Sequence, residues 1–159
     1  MTKQAPRSIS AMRRAGFTLL ELMIAVAVVA LLAMIAVAGY TAVIERQRVA
    51  KATAEITELS LRIERFYSRG FEYPESLEDI GAGAMADPWG NAYHYTLLVG
   101  AKGKGSARKD HRLNPLNPDY DLFSAGKNGV FKTQISQKDS EDDVIRARGG
   151  AYVGLAAEY

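Results

Sequence analysis

Hydrophobic positions fall into two regimes along this chain. From Phe17 to Ile44 they are nearly continuous, and the only charged side chain in that stretch is Glu21. Beyond it they recur at Val49, Ala52, Ile56, Leu59, Ile63 and Phe66, spaced by three and four. The first pattern is apolar all round and the second is a single stripe, so both predict helix in different surroundings. About 20 apolar residues cross a bilayer core, which makes the first stretch long enough to span with some tilt. The stripe needs a partner surface, and the chain's own C-terminal half is the simplest one. No Pro or Gly falls between Tyr40 and Arg69, and Glu58 with Arg62 forms a favourable i,i+4 pair. The two stretches therefore read as one helix from about Phe17 to Arg69, with Gly70 as its stop.

After Pro74 the pattern changes period. Ser76-Leu77-Glu78-Asp79-Ile80 reads as a short helical turn with Ser76 as N-cap. Asp87-Pro88-Trp89-Gly90-Asn91 has turn chemistry, and Trp89 reads as an aromatic clamping that turn to the helix. Residues 92–99 and 120–124 are rich in aromatic and branched side chains and predict two antiparallel strands, joined through a Gly- and Lys-rich connection from Gly100 to Asp110. The expected class is α+β: a long helix packed on a small antiparallel sheet. The expected divisions are a leader, 1–16; an apolar half-helix, 17–44; an amphipathic half-helix, 45–69; and a head, 70–159.

Charge sharpens this division. The formal charge is +2, but Lys3, Arg7, Arg13 and Arg14 all lie in the first 16 residues; without them 16 Lys and Arg face 18 Asp and Glu, a side-chain sum of −2. Bulk charge gives no nucleic-acid footprint. Basic residues ahead of an apolar run orient it with the leader on the cytoplasmic side. The chain has no cysteine, so nothing about redox compartment follows from disulfides. No Ser-His-Asp, HExxH or phosphate-loop arrangement occurs in a fitting context, and the two histidines, His94 and His111, read as structural or surface residues. An enzyme is not expected.

Glu21 is the feature that needs a reason, because a charged group at the centre of a membrane helix costs about 2.5–3.5 kcal/mol on insertion scales. The block Gly16-Phe17-Thr18-Leu19-Leu20-Glu21 resembles the processing site of type IV pilins and of the pseudopilins of type II secretion. That resemblance implies cleavage after Gly16 by a prepilin peptidase and N-methylation of the new terminus at Phe17. It also implies that Glu21 meets the terminal amine of a neighbouring subunit in an assembled filament. Tyr73-Pro74, the segment from Asp87 to Tyr93 and the segment from Tyr120 to Gly129 are similar, in order, to the major pseudopilin. The implied setting is an inner-membrane, single-pass subunit with its head in the periplasm, whose partners are further copies, other pseudopilins and the inner-membrane assembly proteins. The alternatives are a type IV pilus or competence-pilus subunit and a signal-anchored periplasmic binding module.

The same resemblance implies a calcium ion, held by the backbone carbonyls of Ala125 and Val130, the side chain of Asn128, and Asp142 with Asp143. Independently, the acidic run 139–143 and the Gly-Lys-Asn-Gly turn at 126–129 supply the mixture of carboxylates and carbonyls that calcium takes. Asn128 stands where the family has Asp, and Lys127 adds a positive charge beside it. A solvated acidic surface loop is the alternative reading of these residues.

Overall fold

The computed structural model describes residues 16–100 and 105–159. The basic leader positions, and part of the connection between Gly100 and Asp110, lie outside the described residues. One helix, α1, runs Leu19–Gly70. Contacts divide the chain into two compact units, one ending at Thr41 and the other Ala42–Tyr159. The second part of α1 is therefore built into the head.

Within the head the stripe behaves as its spacing predicts. Ala52, Ile56, Leu59 and Ile63 are fully buried and Val49 packs against them, while Phe66 at the end of the stripe is 37% exposed. Each such branched side chain contributes about 1.5–3 kcal/mol by leaving water. On the solvated face Arg62 donates through Nε to Glu58 at 3.2 Å. Thr53 and Ser60 turn their hydroxyls back to the carbonyls of Val49 and Ile56, satisfying them within the helix.

Four strands follow: β1 (His94–Leu97), β2 (Tyr120–Ser124), β3 (Val144–Ala147) and β4 (Tyr152–Leu155). They form one antiparallel sheet in the order β1-β2-β3-β4, with Tyr95 opposite Leu122, Phe123 opposite Ile145 and Ile145 opposite Gly154. The sequence pattern marks the first two strands; β3 and β4 lie in a stretch where no alternation announces them. β4 is half-buried at every position, and β3 is buried throughout. A strand covered on both faces shows no apolar–polar alternation.

The two faces of the sheet carry separate cores. Tyr120, Leu122 and Val144 join the α1 stripe, together with Leu77, Ala82 and Tyr93. Phe123, Ile145 and Ala147 face the other way and pack with Leu116, Ile135 and Ala156, which come from the long connections and the C-terminal segment. The loops thus serve as the second layer of a sandwich whose first layer is the helix.

Two local expectations change. Gly70 stays inside α1, and the left-handed residue after it is Phe71 (φ 59°), whose N–H donates to the Tyr67 carbonyl at 2.7 Å. Ser76 is not an N-cap: the 3-10 turn Glu78–Ile80 has Leu77 at that position, and Ser76 donates from N–H (2.9 Å) and hydroxyl (3.2 Å) to Asp79 Oδ2. The downstream carboxylate folds back over the turn, so Asp79 supplies the acceptor that Ser76 was expected to supply.

Candidate functional site

Gly16, Phe17 and Thr18 are exposed and precede the first helical residue. Gly16 has no neighbouring atom within 4 Å of where a Cβ would stand, and Phe17 is 84% exposed. The peptide bond between these two residues therefore lies outside the helix and is accessible, the condition a peptidase needs. Thr18 caps α1, its Oγ1 accepting the Glu21 N–H at 3.2 Å and its carbonyl the Leu22 N–H at 3.2 Å. The Thr-x-x-Glu spacing is that of a capping box, and an acid in the first turn also suits the helix dipole. Local helix chemistry thus explains part of why Thr18 and Glu21 stand three apart. It does not explain why the acid is followed by more than twenty residues without another charge.

Those residues are uncovered in the isolated chain: Leu20, Met23, Val29, Leu32 and Ile35 are each between 61% and 68% exposed. The segment is long and apolar enough to cross a membrane by length and composition.

The second candidate site lies between β2 and β3. Gly126 (φ 63°) brings the two limbs of the connection together so closely that a Cβ there would lie 2.2 Å from the Asp142 carbonyl oxygen. Asn128 closes them: its Nδ2 donates to Asp142 Oδ1 (2.7 Å) and to the Asp139 carbonyl (2.9 Å), and its N–H donates to Asp142 Oδ2 (2.9 Å). The Asn128 Oδ1 accepts the Val130 N–H at 2.6 Å. Ala125 is buried and Val130 exposed on either side of this turn. Asp143 is fully buried and turned away, its Oδ2 accepting from Arg108 Nη2 at 2.6 Å. Burial pushes its carboxyl up to about 6 against the pull of that guanidinium. Of the residues the resemblance implied, the fold brings Asn128 and Asp142 together, while Asp143 belongs to a different contact.

Whether this set fits calcium follows from its oxygens. Calcium takes six to eight of them. Both Asp142 oxygens and the Asn128 oxygen already accept hydrogen bonds, and Asp143 is already paired with a guanidinium through Oδ2, its Oδ1 being buried without a hydrogen-bond partner. Among the described residues no cluster of three or more His, Cys, Asp and Glu is arranged to hold a metal. As arranged, the set does not fit the ion.

Two arginines that sequence reasoning missed, Arg108 and Arg146, hold the head together with the predicted turn at Asp87. Asp87, at the start of the predicted turn, accepts from Trp89 N–H (3.0 Å) and Asn91 N–H (2.8 Å), and its other oxygen takes the Ser124 hydroxyl. Trp89 then donates Nε1 to Glu45 at 3.0 Å, clamping the turn to α1 as predicted. Arg108 and Arg146 are both 3% exposed, lying over the rings of Phe123 and Tyr120 respectively. An Arg is usually solvated, whether in a connection like Arg108 or in a strand like Arg146, so nothing in the local sequence marks either as buried.

Residues 11–37 match the model of the prokaryotic N-terminal methylation motif. The long apolar helix, the antiparallel head and that motif together define the class: the chain is a type IV pilin-like protein with an α+β pilin-like fold, a structural subunit and not an enzyme. Two relatives mark its neighbourhood. It is 33% identical to the type IV major pilin protein PilA of Myxococcus xanthus over 89 residues, 56% of this chain and 39% of that pilin's length. It is 25% identical to the type II secretion system core protein G of Pseudomonas aeruginosa over 138 residues, 74% of this chain and 86% of that protein. No solved structure matches the chain. Proteins of this class are processed by prepilin peptidase and assemble with other pilin-like subunits.

Proposed function

We propose that this protein is the repeating subunit of a short periplasmic filament that drives protein secretion through a type II system. The observation that carries this reading is the extent of the two matches. The similarity to core protein G runs over 86% of that protein and so includes its head, whereas the similarity to PilA takes in 39% of the pilin. Heads, not membrane helices, distinguish one filament's neighbours from another's, because the greasy halves obey the same bilayer constraint.

The proposed working cycle starts with the subunit in the inner membrane and its head in the periplasm. Cleavage after Gly16 frees the Phe17 amine, which is then methylated. Glu21 lies in an apolar stretch, and an opposite charge about 4 Å away at an effective dielectric near 20 is worth about 4 kcal/mol. A neighbour's amine supplies that charge only when two subunits stand in register, so the carboxylate favours the assembled state over the solitary one.

Deleting the gene in its host tests the choice of system. Secreted proteins should accumulate in the periplasm while surface pili remain. Loss of surface pili with secretion intact would instead make the chain a pilus subunit, the reading that the identity to PilA supports.

A further inference from the structure

The β2–β3 connection concentrates acids at Asp139, Glu141, Asp142 and Asp143, and charges brought together in a folded loop require compensation. Lys132 supplies it for Asp139 at 3.4 Å, at the surface. Asn128 supplies two N–H donors to Asp142. Asp143 is the demanding case, because it is fully buried. An unpaired carboxylate there would be costly, and would have to take up a proton or find a partner.

Arg108 answers that demand. It enters from a different connection, anchored by its own N–H to Asp121 Oδ2 at 2.6 Å. Its Nη2 lies 2.6 Å from Asp143 Oδ2 and 3.2 Å from Ser140 Oγ, and its Cζ sits 4.2 Å from the centroid of Phe123. The Ser140 hydroxyl oxygen also accepts the Lys132 N–H at 2.8 Å, so one guanidinium ties β2, the acidic turn and the segment before it. A planar guanidinium with several donors, resting on an aromatic face, suits this role better than an ammonium.

We propose that Arg108 is the resident cation of this loop: it closes the acidic connection from within the chain, and the head folds and stays ordered without a divalent ion. A calcium ion bound to Asp143 would stand beside this buried guanidinium, and the two cations would compete for one carboxylate. For Asn128 to offer its oxygen to the ion, that oxygen would have to leave the Val130 N–H, and Asp142 would have to release Asn128.

Thermal unfolding of the detergent-solubilised full chain, followed by fluorescence of its single tryptophan, Trp89, tests this directly. The midpoints in chelator and in millimolar calcium should coincide. Arg108→Met should lower the midpoint by roughly 10 °C, since it leaves Asp143 buried and unpaired. Arg108→Met combined with Asp143→Leu should recover most of that loss, because removing both charges removes the demand. A calcium-dependent rise of more than about 4 °C in the unaltered chain, abolished by Asp142→Ala, would overturn the proposal. So would an Arg108→Met chain as stable as the parent. If Arg108→Met does not fold, the comparison of the unaltered chain with and without calcium still decides. The test reads the head alone and is separate from the question of which filament the subunit builds.

Discussion

Among the described residues, the Glu21 carboxylate has no hydrogen-bond or ion-pair partner, though its N–H is held by Thr18. A role limited to helix capping predicts that Glu21→Ala costs a few tenths to about 1 kcal/mol of helix stability and nothing else. The register role predicts more. Glu21→Ala and Glu21→Gln should both insert into membranes normally yet fail to assemble, read as loss of crosslinked filament ladders in intact cells. Assembly at parental levels in Glu21→Gln would reduce Glu21 to a cap. Asp119 makes a second prediction at this scale. Burial alone would raise its carboxyl, but Arg146 meets it with two donors, at 2.9 and 2.8 Å, and the net effect holds it below its usual 3.8. A depressed acid stabilises the fold above its unfolded value and loses that contribution as pH falls through the folded one. Thermal unfolding between pH 5 and pH 2 should therefore show a steeper loss in the parent than in Asp119→Asn, which starts lower and has less to lose.

At the scale of elements, α1 is one helix under two selection rules. In the head its buried stripe behaves as core, so Ile56→Ala should cost about 2–5 kcal/mol in head stability. Val29→Ala, on the uncovered apolar stretch, should leave head unfolding unchanged, and equal effects at the two positions would show that the units do not unfold separately. The end of the helix offers a gain instead. Phe71 is 80% exposed and left-handed, a conformation that costs a residue with a Cβ about 1–2 kcal/mol. Phe71→Gly should raise stability by about 1 kcal/mol, measured by denaturant midpoint, after allowing for glycine's freer unfolded state. The periodic elements were legible because period is a local property: the Ala52–Ile63 stripe, β2 and the turn at Asp87 all carry their signals within a few residues. β3 and β4 were not: two-sided burial erased the alternation in β3, and β4 is half-buried at every position, so neither of its faces stands out. Ser76 misled because a Ser caps a helical turn only when its hydroxyl oxygen accepts a backbone N–H of that turn, and here the hydroxyl donates to the Asp79 carboxylate instead.

The whole molecule is a membrane-compatible apolar segment joined to a head that the helix helps to build. The type IV pilin-like class follows from the first 21 residues and the long apolar run, and mass spectrometry of the purified chain should find methylated Phe17 as its first residue. A chain retaining Met1 would remove the basis for a processed subunit. Much of this was determined by sequence alone: the Gly16–Glu21 block, the apolar span, the amphipathic stripe and the Asp87–Asn91 turn act through near neighbours, so their order in the chain suffices to read them. The second core behind the sheet, the buried pairs Arg108–Asp143 and Arg146–Asp119, and the separation of Asp143 from Asp142 were decided only by tertiary structure. Each depends on which distant segment arrives to cover a charge. A carboxylate beside another carboxylate in sequence looks the same whether its eventual partner is water, a metal or an arginine folded in from 35 residues away.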